Sequence, residues 1–132
     1  MTTATTPNGS SAVLIDSSGW LEYLTAGDKA ALFAPYFERK RRVVVPTIVI
    51  FEVRKILLLR RTNVIADEFV GEAFGREVVD LDSRIAIAAA EFGVSHQLPM
   101  ADAIIYATAR SRQAELITTD SHFTGLPGVT LL

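Results

Sequence analysis

Short apolar runs without polar alternation stand at residues 12–16, 43–45 and 116–118, with Glu77-Val78-Val79-Asp80-Leu81 as a further strand ending at Asp80 or Asp82 and a fifth candidate at 129–131. Strands covered on both faces have this pattern, whereas half-exposed strands alternate. The segments between them carry apolar residues at helical spacing. Trp20, Leu21 and Leu24 follow a cap at Ser17 or Ser18 and stop at Gly27; Leu32, Phe33, Tyr36 and Phe37 follow Asp28, with Pro35 set to kink or shorten that helix before Glu38. A helix over 47–61, capped by Thr47, places Ile48, Phe51, Lys55, Ile56 and Leu59 along one side. Another spans 63–74, with Ile65, Phe69, Val70 and Phe74 inward and Gly75 as its stop. An alanine-rich helix capped by Asp82 or Ser83 reaches Phe92 and closes at Gly93, and a last one runs from Pro99 to about Gln113. Strands alternating with helices predict one α/β domain over 12–132, a central parallel sheet of four to five strands flanked by helices.

Composition narrows the classes. At 132 residues and 49% hydrophobic content the chain can bury a core without staples. No apolar run approaches the roughly 20 residues that span a bilayer, so no membrane association is expected. Residues 1–11 are mostly Thr, Ser, Pro, Gly and Asn and are expected to form a disordered tail rather than a secretory signal. The absence of cysteine removes disulfides and thiolate metal sites, and a cytoplasmic address is the expectation. The formal net charge of −2 hides basic groups at Arg39-Lys40-Arg41-Arg42, Arg54-Lys55 and Arg60-Arg61. These read either as solvated faces or as surfaces that follow a phosphate backbone, and composition leaves both open.

Four acids stand where apolar segments stop: Asp16, Glu52, Asp102 and Asp120. In open α/β sheets ligands bind beyond the carboxyl ends of the strands, near the point where strand order reverses. Asp16 and Asp120 terminate predicted strands, Glu52 lies within two turns of a helix start, and Asp102 lies in the first turn of another. Asp28, Asp67, Glu68, Glu72 and Glu91 belong to helix interiors or outer faces instead. Each of the four also has a plain structural reading: Asp16 as a helix cap, Asp120 as an Asx turn, Asp102 as a complement to the helix dipole. Glu52 is the most telling, because Ile48, Val49, Ile50, Phe51 and Val53 surround it, and a buried carboxylate requires a cation or hydrogen-bond donors. Arg54 and Lys55 are turned from it by about 200° and 300° of helical rotation. Together the four favour an all-oxygen site for Mg²⁺ or Mn²⁺.

Other chemistries find less support. His96 and His122 lack the grouped companions that zinc requires. His122 either shapes the loop after Asp120 or touches a substrate phosphate; His96 reads as a surface residue. There is no Gly-x-Ser-x-Gly turn and no phosphate-binding or dinucleotide glycine pattern. A receiver- or haloacid-type phosphoryl acceptor relies on a lysine after a later strand, and no lysine follows Lys55.

The segments Val13-Leu14-Ile15-Asp16-Ser17-Ser18, the helical Glu52, Met100-Ala101-Asp102-Ala103-Ile104-Ile105-Tyr106-Ala107-Thr108-Ala109 and Ile117-Thr118-Thr119-Asp120-Ser121-His122-Phe123 resemble the PIN-domain ribonucleases, and within them the VapC-type toxins of toxin–antitoxin pairs. The resemblance covers about residues 12–132. It implies a Mg²⁺- or Mn²⁺-dependent endoribonuclease in which Asp16, Glu52, Asp102 and Asp120 form the catalytic, metal-binding pocket. Ser17 and Thr119 are the assisting hydroxyls, and Arg54 and Lys55 are candidate substrate contacts. It further implies a homodimer, an RNA substrate and a cognate antitoxin that covers the pocket. Tyr106 stands where a small residue is common in the family. A non-catalytic PIN-like module that binds RNA or protein is the alternative.

Overall fold

The structure, a computed structural model, describes residues 12–132; the expected N-terminal tail, 1–11, lies outside the described residues. Five strands, β1 (Val13–Ile15), β2 (Val43–Pro46), β3 (Glu77–Val79), β4 (Glu115–Thr118) and β5 (Val129–Leu131), form one sheet in the order β3-β2-β1-β4-β5. Every pairing is parallel, with Leu14 opposite both Val44 and Leu116. β1 and β2 are buried at every residue, as their unbroken apolar sequence requires once helices cover both faces. The chain winds outward from β1 through β2 to β3, then returns to the other side of β1 for β4 and β5. The order therefore reverses between β1 and β4.

Among the described residues six α-helices flank the sheet: α1 (Ser17–Leu24), α2 (Ala30–Phe33), α3 (Thr47–Leu59), α4 (Asn63–Phe74), α5 (Ser83–His96) and α6 (Met100–Ser111). Trp20, Phe33, Phe37 and Phe69 close the core on the α1–α4 side, with Trp20 edge-on to Phe37 and Phe69 at 4.7 and 5.2 Å. Gly19 is required there, since a Cβ would meet Ile15 Cγ2 at 2.5 Å and Phe33 at 2.6 Å.

Several sequence expectations are corrected. Asp16, rather than Ser17 or Ser18, caps α1 through the Gly19 amide. Asp28 caps nothing; α2 is one turn, and Pro35 turns the chain into a 3-10 segment over Ala34–Phe37. Thr47 is the first residue of α3 rather than its cap, and its hydroxyl accepts from the Leu81 amide. α3 buries Val49, Val53 and Leu57, whereas Phe51 and Leu59 of the expected inner stripe are 62% and 72% exposed. Phe74 of α4 is likewise exposed. Gly93 does not stop α5, which continues to His96 and ends where Gln97 takes a left-handed conformation at φ 55°.

Candidate metal centre at the sheet switch point

Asp16 leaves the end of β1 and Asp120 follows the end of β4, so the two flank the reversal of strand order. A crevice opens there because the connections from the two strands lead away in opposite directions. α3 brings Glu52 over the crevice from one side, and the first turn of α6 brings Asp102. The four carboxylates line one cleft of about 510 Å³, together with Ser17, Ser18, Lys55 and an apolar flank that includes Leu21, Phe51, Ile56 and Leu59.

A hydroxyl network sets the positions of these acids. The buried Thr118 hydroxyl donates to Asp16 Oδ2 and accepts from the Asp120 amide at 2.9 Å, so one side chain ties both strand-end acids together. Asp16 Oδ1 accepts from the Gly19 amide at 3.1 Å and from the Ser18 hydroxyl at 3.0 Å. Ser17 donates to Glu52 Oε1 at 2.6 Å and so joins α1 to α3. Asp120 Oδ1 accepts from the His122 amide at 2.9 Å, and His122 Nδ1 lies 2.9 Å from Asp102 Oδ2 and 3.3 Å from Asp120 Oδ1. The cap and Asx-turn readings of Asp16 and Asp120 therefore hold beside the shared cleft, because each carboxylate has a second oxygen or lone pair to offer.

The electrostatics are those of crowded acids. Burial pushes the Asp16 carboxyl above its ordinary range, against the bonds from Thr118, Gly19 and Ser18, and the charge of Asp120 pushes the same way. Asp102 is also raised, first by burial and then by Asp120 and Glu52, with its His122 bond opposing. The same bond to Asp102, aided by Asp120, raises the His122 imidazole. Oxygen donors held close together against their own repulsion suit a hard divalent cation, so the residues fit the metal that the sequence resemblance implies.

Glu52 is half-buried rather than enclosed, and its donor is Ser17. Lys55 lines the same cleft, its Nζ 5.7 Å from the Phe51 ring centroid; a turn of about 300° forward is about 60° back, so positions i and i+3 share a face. Arg54 points elsewhere, to Asp67 Oδ1 at 3.1 Å and the Ala66 carbonyl at 3.2 Å on α4. Thr119 is half-exposed between Thr118 and Asp120. Sequence reasoning missed Thr118. Its position two residues before Asp120, on the same side of an extended chain, was the available signal.

The sequence matches the family model for the PIN domain over residues 13–128. The chain belongs to the PIN-domain family. No curated protein matches it in sequence. Among solved structures, this PIN domain is similar to a chain of a toxin–antitoxin complex from Klebsiella pneumoniae, at 21% identity and TM-score 0.77, covering 89% of this chain and 95% of that one. It is also similar to a chain of VapBC2 from Rickettsia felis, solved with a DNA fragment from its promoter (14% identity, TM-score 0.70, 92% and 97% covered). A third neighbour is VapC20 of Mycobacterium tuberculosis, a toxin that cleaves the sarcin–ricin loop (22% identity, TM-score 0.70, 89% and 96% covered). The PIN domain described here thus has the fold of VapC toxins. No helix among its described residues is long and apolar enough to cross a membrane.

Proposed function

We propose that this PIN domain is the toxin of a type II toxin–antitoxin pair, a Mg²⁺- or Mn²⁺-dependent endoribonuclease acting in the cytoplasm. The observation that carries the reading is the meeting of Asp16, Glu52, Asp102 and Asp120 in one cleft at the switch point. Asp16, Asp102 and Asp120 would hold the metal, with Glu52 across the cleft. Bound there, a divalent ion supplies charge neutralisation at the scissile phosphate and lowers the pKa of water. The chain does the rest. Thr118 and Ser17 hold the carboxylates in place, one carboxylate of the quartet takes the proton of the attacking water, and Lys55 and Thr119 contact the RNA backbone. In-line attack by water leaves a 5′-phosphate and a 3′-hydroxyl, whereas attack by the ribose 2′-hydroxyl would leave a cyclic phosphate.

The partner reading rests on the cleft's second character. Leu21, Phe51, Ile56 and Leu59 place an apolar flank directly beside the acids. A cognate antitoxin segment with apolar and basic side chains matches both, and would cover the pocket of each subunit of a homodimer. Purified protein should cleave single-stranded or loop RNA when Mg²⁺ or Mn²⁺ is added. Asp16→Asn and Asp102→Asn should each abolish that cleavage; unchanged cleavage in either variant contradicts the proposed site. Metal-independent cleavage with cyclic phosphate ends would favour the other chemistry. RNA binding with no cleavage at all would favour the non-catalytic module.

A further inference from the structure

Asp102, Asp120 and His122 form a group whose candidate ligand atoms all lie within 4.8 Å of one another. Two of the three are carboxylates, and the third is an imidazole. The ring is 57% exposed, so packing does not hold it where it is. The turn fixes its backbone, since Asp120 Oδ1 accepts from the His122 amide, the 3-10 segment Ser121–Phe123 starts there and Phe123 is 1% exposed; the ring itself is held by Nδ1, 2.9 Å from Asp102 Oδ2 and 3.3 Å from Asp120 Oδ1. The turn and these contacts thus place a nitrogen ligand beside two of the three acids, Asp102 and Asp120, that the metal-dependent reading assigns to the ion. Ligands around an ion with 2.0–2.1 Å bonds lie roughly 3–4 Å apart, so side-chain adjustment alone closes the group around one ion.

We propose that His122 supplies a nitrogen ligand to the divalent ion that Asp102 and Asp120 hold; the proposal rests on the metal-dependent reading above. It has a consequence for the choice of metal. Carboxylate oxygens accept Mg²⁺ and Mn²⁺ alike, but imidazole favours transition ions and contributes little to Mg²⁺. His122 therefore biases the site toward Mn²⁺ over Mg²⁺, and makes the loop after β4 the element that sets metal preference. His96 provides an internal control, since it sits at the end of α5 beside Phe92 and Tyr106, 6.0 and 6.2 Å from their ring centroids, and does not belong to the group that Asp102, Asp120 and His122 form.

The test is pulsed electron paramagnetic resonance on tag-free, metal-stripped protein loaded with one equivalent of Mn²⁺. The wild-type protein and His96→Gln should show ¹⁴N modulation from a directly bound imidazole, and His122→Ala should not. Calorimetry should find Mn²⁺ affinity lowered on the order of tenfold or more in His122→Ala, since even outer-shell partners are worth about 10–100-fold, while Mg²⁺ affinity changes by less than about threefold. Bound Mn²⁺ without nitrogen modulation in the wild-type protein overturns the proposal and leaves the carboxylate site standing. Equal weakening of both ions in His122→Ala overturns it as well, because a ring that only orients Asp102 would act on both. Wild-type protein that binds neither ion overturns the metal reading and the proposal together.

Discussion

The two ends of the sheet are both highly charged, and they treat their charges in opposite ways. At the amino ends of β2 and β3, Arg39, Arg41, Arg42 and Arg76 line a cavity of about 820 Å³, larger than the acidic cleft. Two of those arginines are firmly engaged within the protein. Arg42 forms a two-pronged pair with Glu77 at 2.6 and 2.9 Å, and Arg76 donates to the Phe37, Glu38 and Arg41 carbonyls. The Arg42 bond holds the Glu77 carboxyl below its ordinary range. At the carboxyl ends, Asp16 and Asp102 are pushed the other way, first by burial and then by the charge of Asp120. The lowered Glu77 carboxyl is accounted for by its arginine partner, whereas carboxyls raised by burial and by a neighbouring acid in one cleft mark a candidate ligand site. Cavity size alone points to the other end from the one the acids mark.

The largest expected effect separates the two ends by activity. Asp16→Asn should lower RNA cleavage on the order of 100-fold or more, by analogy with the about 10–100-fold cost of losing outer-shell support, while Glu77→Gln should leave single-turnover cleavage within about twofold. Comparable losses in both variants would erase the distinction. Next comes Thr118→Val, which leaves the buried Asp16 oxygen and the Asp120 amide without their shared hydroxyl. Chemical denaturation should show a loss of about 1–3 kcal/mol, the usual penalty for an unsatisfied buried polar group. An unchanged denaturation midpoint would remove Thr118 from its bridging role.

The two ends should also respond to pH with opposite signs in metal-free protein. Asp16 binds its proton more tightly when folded, so stability falls as pH rises from the ordinary value of 3.8 through the raised one. Asp16→Asn, which keeps the cap, should therefore melt above the wild-type protein at pH 7 and lose that advantage below about pH 4. Glu77 is lowered from 4.5, so its contribution is present above that value and disappears as pH falls through the lowered one. Glu77→Gln should be less stable at pH 7 by about 0.2–1 kcal/mol, the range for a largely exposed pair, with no difference at low pH. His122 adds the smallest effect. Its raised pKa gives a contribution that is complete below 6.5 and lost as pH rises past the folded value. Thermal melts of His122→Ala should lack that step.

The sheet was legible because its inner strands β1 and β2 are unbroken apolar runs and the others keep apolar residues, and the acids were legible because each stands where an apolar segment stops. The range of α4 matched its expected 63–74 because Gly75 follows directly. The inner face of α3 was misread for a physical reason. Ile48, Val49, Ile50, Phe51, Val53, Ile56, Leu57, Leu58 and Leu59 leave almost no polar contrast, so the i, i+4 series Val49, Val53, Leu57 could not be told from its neighbours. The same apolar excess leaves Phe51 and Leu59 outside, beside the acids. Gly93 was mistaken for a stop because sequence does not show that Ala103 packs against it, 3.7 Å from where a Cβ would stand. Thr118 escaped notice because a threonine in a strand is ordinary. Only the register of β1 against β4 reveals that it faces Asp16.

Anomalous scattering from Mn²⁺-soaked crystals would test the shared acidic hollow most directly. A peak in the cleft between Asp16, Asp102 and Asp120, within bonding distance of their carboxylates, is the expected result. Well-ordered crystals with no ion there, or with Mn²⁺ bound at the arginine-lined end instead, would contradict it.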